Sequence, residues 1–133
     1  MSYPEDFDEM RLSSKTEFVY LTPAVRVAYC LHQLEAEVNN GGFHQFFSNS
    51  TGEYVAETIQ ALLDIGAIRT SDLLKRAVAI GFPAGYPADA SAYASAVADF
   101  DDVADALEPL DQEFFRYEDS LSDLVNEYLA KSA

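Results

Sequence analysis

Residues 22–42 read TPAVRVAYCLHQLEAEVNNGG, and this stretch decides the fold. Thr22 is a good N-cap, and Pro23 suits the first helical position, where its missing N–H removes nothing the helix needs. Ala24, Val27, Ala28, Leu31, Leu34 and Val38 then recur at intervals of three and four, one apolar stripe of an α-helix. Asn39-Asn40-Gly41-Gly42 stops it, because Asn and Gly tolerate the left-handed backbone that closes helices.

The same grammar extends in both directions. Phe43–Phe47 predicts a short helical turn. A second helix is expected from about Glu53 to Ile65, with Val55, Ile59, Leu62 and Leu63 inward and Gly66 at its C-terminal cap. A third is capped by Ser71, carries Leu73, Leu74, Ala77, Val78 and Ile80, and ends near Gly81. Phe82–Pro87 is a loop by its Pro and Gly content. A fourth helix is expected from about Ser91 to Glu108, with Tyr93, Ala96, Val97, Phe100, Val103, Ala104 and Leu107 on one face, and Pro109 ends it or starts a new turn. Leu110–Tyr117 reads either as a short helix or as an extended piece. A last helix covers about Leu121 to Lys131. No alternation of period two marks a strand. The expectation is all-α: a single compact domain of about six helices over 1–133. It divides into an N-terminal segment 1–20, helices across 22–81 and acidic helices across 91–131.

At 133 residues, one self-sufficient core is feasible. Aromatic residues make up 13% and aliphatic ones are spread along the chain, which argues against disorder. The unusual quantity is charge: 8 Lys and Arg face 23 Asp and Glu, for a net −15. Direct contact with nucleic acid or an anionic membrane is disfavoured, since both demand cations. A basic partner is favoured. A lone cysteine, Cys30, excludes an internal disulfide and reads as a small buried hydrophobe. With no secretory signal and no membrane span visible, the expected home is a reducing cytoplasm.

The acidity is concentrated. Residues 1–85 hold 11 acids against 6 bases, and residues 86–133 hold 12 against 2. On the fourth helix, at about 100° per residue, Asp99, Asp101, Asp102, Asp105 and Glu108 lie opposite the apolar face. Their like-charge pairs cost on the order of 1–2 kcal/mol together. Over the roughly 13.5 Å rise from Asp99 to Glu108 they average about one carboxylate per 3.4 Å, the axial spacing of phosphates along one B-DNA strand. The reading that follows is a phosphate-imitating surface of Asp99, Asp101, Asp102, Asp105, Glu108, Asp111 and Glu113, extended by Glu118, Asp119, Asp123 and Glu127. A face that is acidic only for solubility or salt adaptation accounts for the same residues and stays open.

One motif is distinctive. Glu37-Val38-Asn39-Asn40-Gly41-Gly42-Phe43-His44-Gln45-Phe46-Phe47-Ser48-Asn49-Ser50, then Gly52 and later Ile65-Gly66-Ala67, resembles the signature of the bacterial DNA-mimic protein family. These are small helical proteins otherwise catalogued as a domain of unknown function. Glu37, Asn40, Gly41, Gly42, Phe43, Gln45, Phe47, Asn49 and Gly52 carry the match. The resemblance implies an all-α fold and a role as a dimeric acidic decoy for a transcription factor. The residues themselves read as a tight helix–turn–helix corner with an aromatic plug of Phe43, Phe46 and Phe47. Asn40, Gln45 and Asn49 are expected to satisfy backbone groups there.

Competing chemistries have weaker footing. Glu35, Glu37, His32 and His44 are close in sequence, but the usual metal-ligand spacings are absent. A small metal-dependent enzyme centred on Glu37 and His44 is one alternative; an antitoxin or immunity-type inhibitor of a basic nuclease is another. No nucleophile elbow or phosphate loop is present. The preferred expectation is a non-enzymatic, cofactor-free protein of transcription regulation. It would occupy the basic surface of a DNA-binding partner, such as a helix-turn-helix regulator, with homodimerisation doubling the acidic surface.

Overall fold

The computed structural model describes residues 21–48, 54–83, 85, 87 and 103–132. Five helices occur among them: α1 Pro23–Ser48, α2 Val55–Asp64, α3 Ile68–Gly81, α4 Ala104–Phe114 and α5 Leu121–Ser132. No strand occurs among the described residues, so the class is all-α as expected. Because α1 is broken at Gly41–Gly42, it acts as two rods.

α1 starts as its sequence predicts. The Thr22 Oγ1 accepts the Val25 N–H at 3.3 Å, and the Thr22 carbonyl accepts the first helical bond from Arg26 at 2.9 Å. It is the central element, packed against α2, α4 and α5, while α3 packs against α2 and α4. Val27, Ala28, Leu31, Leu34 and Val38 are buried, and so are Tyr29 and Cys30, because several helices cover the first rod.

α2 closes on Gly66. The Ala67 N–H donates to the Leu62 carbonyl and the Gly66 N–H to the Leu63 carbonyl, the paired bonds that terminate a helix through a left-handed residue. Its inward face is rotated from the expected one. Val55, Thr58, Ala61 and Leu62 are buried, whereas Leu63 is exposed. Thr58 fits inside because its hydroxyl donates to the Tyr54 carbonyl at 2.7 Å.

α3 corrects a second expectation. It begins at Ile68, not at Ser71, and Ser71 sits fully buried inside its first turns, its hydroxyl without a hydrogen-bond partner among the described residues. The cap comes from outside the helix. Asp119 accepts both the Thr70 N–H, at 2.8 Å, and the Thr70 hydroxyl, at 3.0 Å.

The acidic end differs most. The expected rod from Ser91 to Glu108 is not one element: a helix starts at Ala104 and passes through Pro109 to Phe114. Residues 91–102 lie outside the described residues. Pro109 gives up one ladder bond without ending the helix, because Leu107, Leu110 and Phe114 bury a common face across it. Leu110–Phe114 is therefore helical, and the chain then turns through Tyr117, whose φ is 48°. α5 follows over the expected span, with Leu121 and Val125 buried.

Candidate functional site

The distinctive motif forms the break in α1. Gly41 has φ −150°, ψ 17°, and Gly42 has φ 76°, ψ −176°, a conformation essentially restricted to glycine. The turn aims the Phe43 N–H at α4, where Asp111 Oδ1 accepts it at 2.8 Å. A Cβ on Gly42 would collide with that carboxylate. Asp111 thus caps the second rod of α1 from 68 positions away in sequence.

The polar motif residues bond to one another, not to the backbone groups expected of them. Gln45 Nε2 donates to Glu37 Oε2 at 2.8 Å, and Asn40 Nδ2 donates to Gln45 Oε1 at 3.1 Å. The kink folds Gln45 back over Gly41, close enough that a Cβ there would strike it. Asn49 and Gly52 lie outside the described residues. Phe43, Phe46 and Phe47 are fully buried. Phe43 meets Phe114 edge-on with ring centres 5.9 Å apart, and Phe47 meets Phe82 at 5.4 Å. The motif therefore builds a corner. Glu37 is engaged with Gln45, and among the described residues no three His, Cys, Asp or Glu side chains converge as a metal set would.

The acids of the last third divide by what they touch. Asp99, Asp101 and Asp102 lie outside the described residues. Asp111 and Asp119 face inward, capping the second rod of α1 and the start of α3. Glu113 and Glu118 face α3 and pair with its arginines. Arg76 donates to Glu113 through both terminal nitrogens, at 2.7 and 3.1 Å, and Arg69 reaches Glu118 at 3.8 Å. Asp105 and Glu108 are exposed on α4, Asp123 and Glu127 on α5. Glu108 accepts a long bond from Gln112, at 3.4 Å, and Asp123 accepts an ordinary one from the Ser120 hydroxyl, at 2.9 Å.

Geometry on α4 explains the sorting. At about 100° per residue, Leu107, Leu110 and Phe114 centre the buried face. Asp111 then lies on the flank toward the kink of α1, Glu113 on the flank toward α3, and Asp105 and Glu108 opposite. Asp105 and Asp123 also occupy the first turns of their helices, where the macrodipole favours an anion. A share of the acidity therefore serves folding.

The electrostatics follow from these positions. Burial pushes the Asp111 carboxyl above the usual carboxylate range; the Phe43 N–H opposes that and Glu108 adds to it. Arg76 draws Glu113 below its ordinary value. Burial pushes the Tyr117 phenol up, while the Asn39 amide, which donates to its oxygen at 3.0 Å, opposes the shift.

Thr70, Arg69 and Arg76, the residues that receive these acids, carry no signal of that role in the sequence. They lie 37 to 49 positions from their partners, and no local pattern announces such pairs. Among the described residues, no helix is long and apolar enough to cross a membrane. Comparison with curated proteins and with solved structures gave no match. A family model described as DMP19-like protein, after DNA mimic protein 19, matches residues 20–132. The kinked corner and acidic α4–α5 segment fall inside that span, and the chain belongs to the DMP19-like protein family.

Proposed function

We propose that this chain acts as a DNA mimic: a non-enzymatic cytoplasmic protein whose exposed carboxylates occupy the basic DNA-binding surface of a partner such as a helix-turn-helix transcription regulator. The observation that carries the reading is the outward set Asp105, Glu108, Asp123 and Glu127, borne by a member of a family described by DNA mimicry. The two acids that cap helices across the fold, Asp111 and Asp119, are not among them. No bond is made or broken. A net charge of −15 steers a basic protein toward the chain, and the exposed carboxylates hold it in place of phosphates. A homodimer would present this surface twice.

Asp105 and Glu108 are separated by about 4.5 Å of helix rise, Asp123 and Glu127 by about 6 Å. One strand of B-DNA offers a phosphate every 3.4 Å or so along its axis. The described surface is thus sparser than the polyanion it replaces. The affinity it supports depends on placement more than on charge density.

The test is capture on the immobilised full chain, with elution by rising salt and, separately, by duplex DNA. A DNA-binding protein released by both supports the reading. Changing Asp105, Glu108, Asp123 and Glu127 together to Lys abolishes its retention while helicity persists. Equal retention by that variant overturns the surface assignment.

A further inference from the structure

We propose that Arg76 and Arg69 are built-in competitors of the partner, holding in cis the carboxylates of Glu113 and Glu118 that an arginine of a DNA-binding protein would otherwise take. The proposal rests on the mimic reading and adds to it a mechanism that sets affinity.

The geometry is that of a recognition contact already filled. Arg76 meets Glu113 with two nitrogens on two oxygens, at 2.7 and 3.1 Å. This is the fork-on-fork arrangement by which guanidinium groups grip carboxylate and phosphate alike. The pair is on the surface, with 52% of the Arg76 side chain and 32% of the Glu113 side chain exposed, so a second arginine can approach without opening the core. The Arg69–Glu118 pair is looser, at 3.8 Å, and more exposed. Exposed pairs of this kind hold weakly in water, which makes exchange inexpensive.

Exchange also lengthens the display. With Glu113 occupied by Arg76, the outward carboxylates of α4 with no cationic partner among the described residues are Asp105 and Glu108, spanning about 4.5 Å of rise. With Glu113 released they span about 12 Å. Glu118, held by Arg69 beyond the turn at Tyr117, adds a second carboxylate of the same kind. The bases of α3 thus set how much of the acidic surface a partner meets.

Lys75 supplies a control. It neighbours Arg76, is exposed, and has no ion pair among the described residues. Arg76→Gln and Lys75→Gln change the net charge equally, but only the first frees a carboxylate.

The experiment is calorimetric titration of the full chain with an octa-arginine peptide at physiological salt. Circular dichroism checks the fold of each variant. Arg76→Gln tightens binding about two- to fivefold, the factor set by the strength of an exposed ion pair. Arg69→Gln added to it tightens binding further, and Lys75→Gln gives less than half the logarithmic gain. Glu113→Gln in the Arg76→Gln background returns the affinity to the parent value or below. The inference is overturned if Arg76→Gln gives no gain, if Lys75→Gln gives the same gain, or if the gain survives Glu113→Gln. An octa-arginine peptide that binds no variant overturns the mimic reading itself.

Discussion

Replacing Gly42 with alanine is expected to be among the most damaging single changes to this chain, although it adds only one carbon. Two costs combine. The backbone at φ 76°, ψ −176° lies in a region that charges a side-chain-bearing residue about 1–3 kcal/mol. The new Cβ also displaces the Asp111 carboxylate, and with it the bond to the Phe43 N–H. A bond to a charged acceptor contributes about 1.5–3 kcal/mol, and the lower end applies because this one is only partly buried. The sum is about 2.5–4.5 kcal/mol, against a total stability of about 5–15 for a domain of ordinary size. Urea unfolding should therefore show a large fall in midpoint with an unchanged slope. Gly66→Ala is the comparison: φ is also positive, but the added carbon meets open space, so about 1 kcal/mol is expected. Asp111→Ala completes a cycle. Once Asp111 is gone, Gly42→Ala forfeits only its backbone term, so the two changes are less than additive by about 1.5 kcal/mol or more. Strict additivity, or a Gly42→Ala cost equal to that of Gly66→Ala, would refute the clamp.

Other outcomes follow from the same contacts. Asp119→Ala strips the cap of α3 and should lower stability by about 1–2 kcal/mol, while Asp119→Asn, which keeps an acceptor, should recover most of it in the same urea titration. Ser71→Ala should be neutral or stabilising by up to about 1 kcal/mol, since it removes a buried hydroxyl that finds no partner among the described residues; a clear loss of stability would show that Ser71 makes a bond after all. Two acids two positions apart should respond to pH with opposite sign. The Asp111 carboxyl binds its proton more tightly folded than unfolded, so its contribution improves as pH falls through its raised folded value. The Glu113 contribution is present above the unfolded glutamate value and is lost as pH falls through its lowered folded one. Between pH 7 and about pH 3, the stability difference between parent and Asp111→Asn should shift toward the parent, and that between parent and Glu113→Gln away from it.

The elements were legible where sequence and structure share a local cause. Thr22-Pro23 starts a helix because its own side chain and ring suit that position, and Gly66 ends one because its own backbone turns left-handed. Ser71 is of good capping type, yet Asp119 fills that role from a distant segment. Pro109 is a related case: burial of Leu107, Leu110 and Phe114 outweighs one missing ladder bond, and burial is decided by partners outside the segment. The acidic surface was legible in its location but not in its division. A helical wheel tells which way a carboxylate faces on its own helix; it does not tell which neighbouring N–H or guanidinium waits on that side. Asp111 and Asp119 therefore read in sequence like Asp105 and Glu108, and only packing separates them.

That division bears on how such a charged chain stays folded. The carboxylates that serve the fold act over a single bond length, on N–H groups at helix starts, where ionic screening has little reach. The exposed carboxylates act through water over a longer range, so salt screens both their mutual repulsion and their pull on a basic partner. Rising salt consequently eases the strain that a net −15 places on the folded chain while loosening its hold on a partner. The two helix caps, Asp111 and Asp119, and the outward carboxylates are different residues of one short segment. Charge can therefore be added to or removed from Asp105, Glu108, Asp123 and Glu127 to tune recognition without disturbing the two caps that hold α4 and the start of α5 against the rest of the molecule.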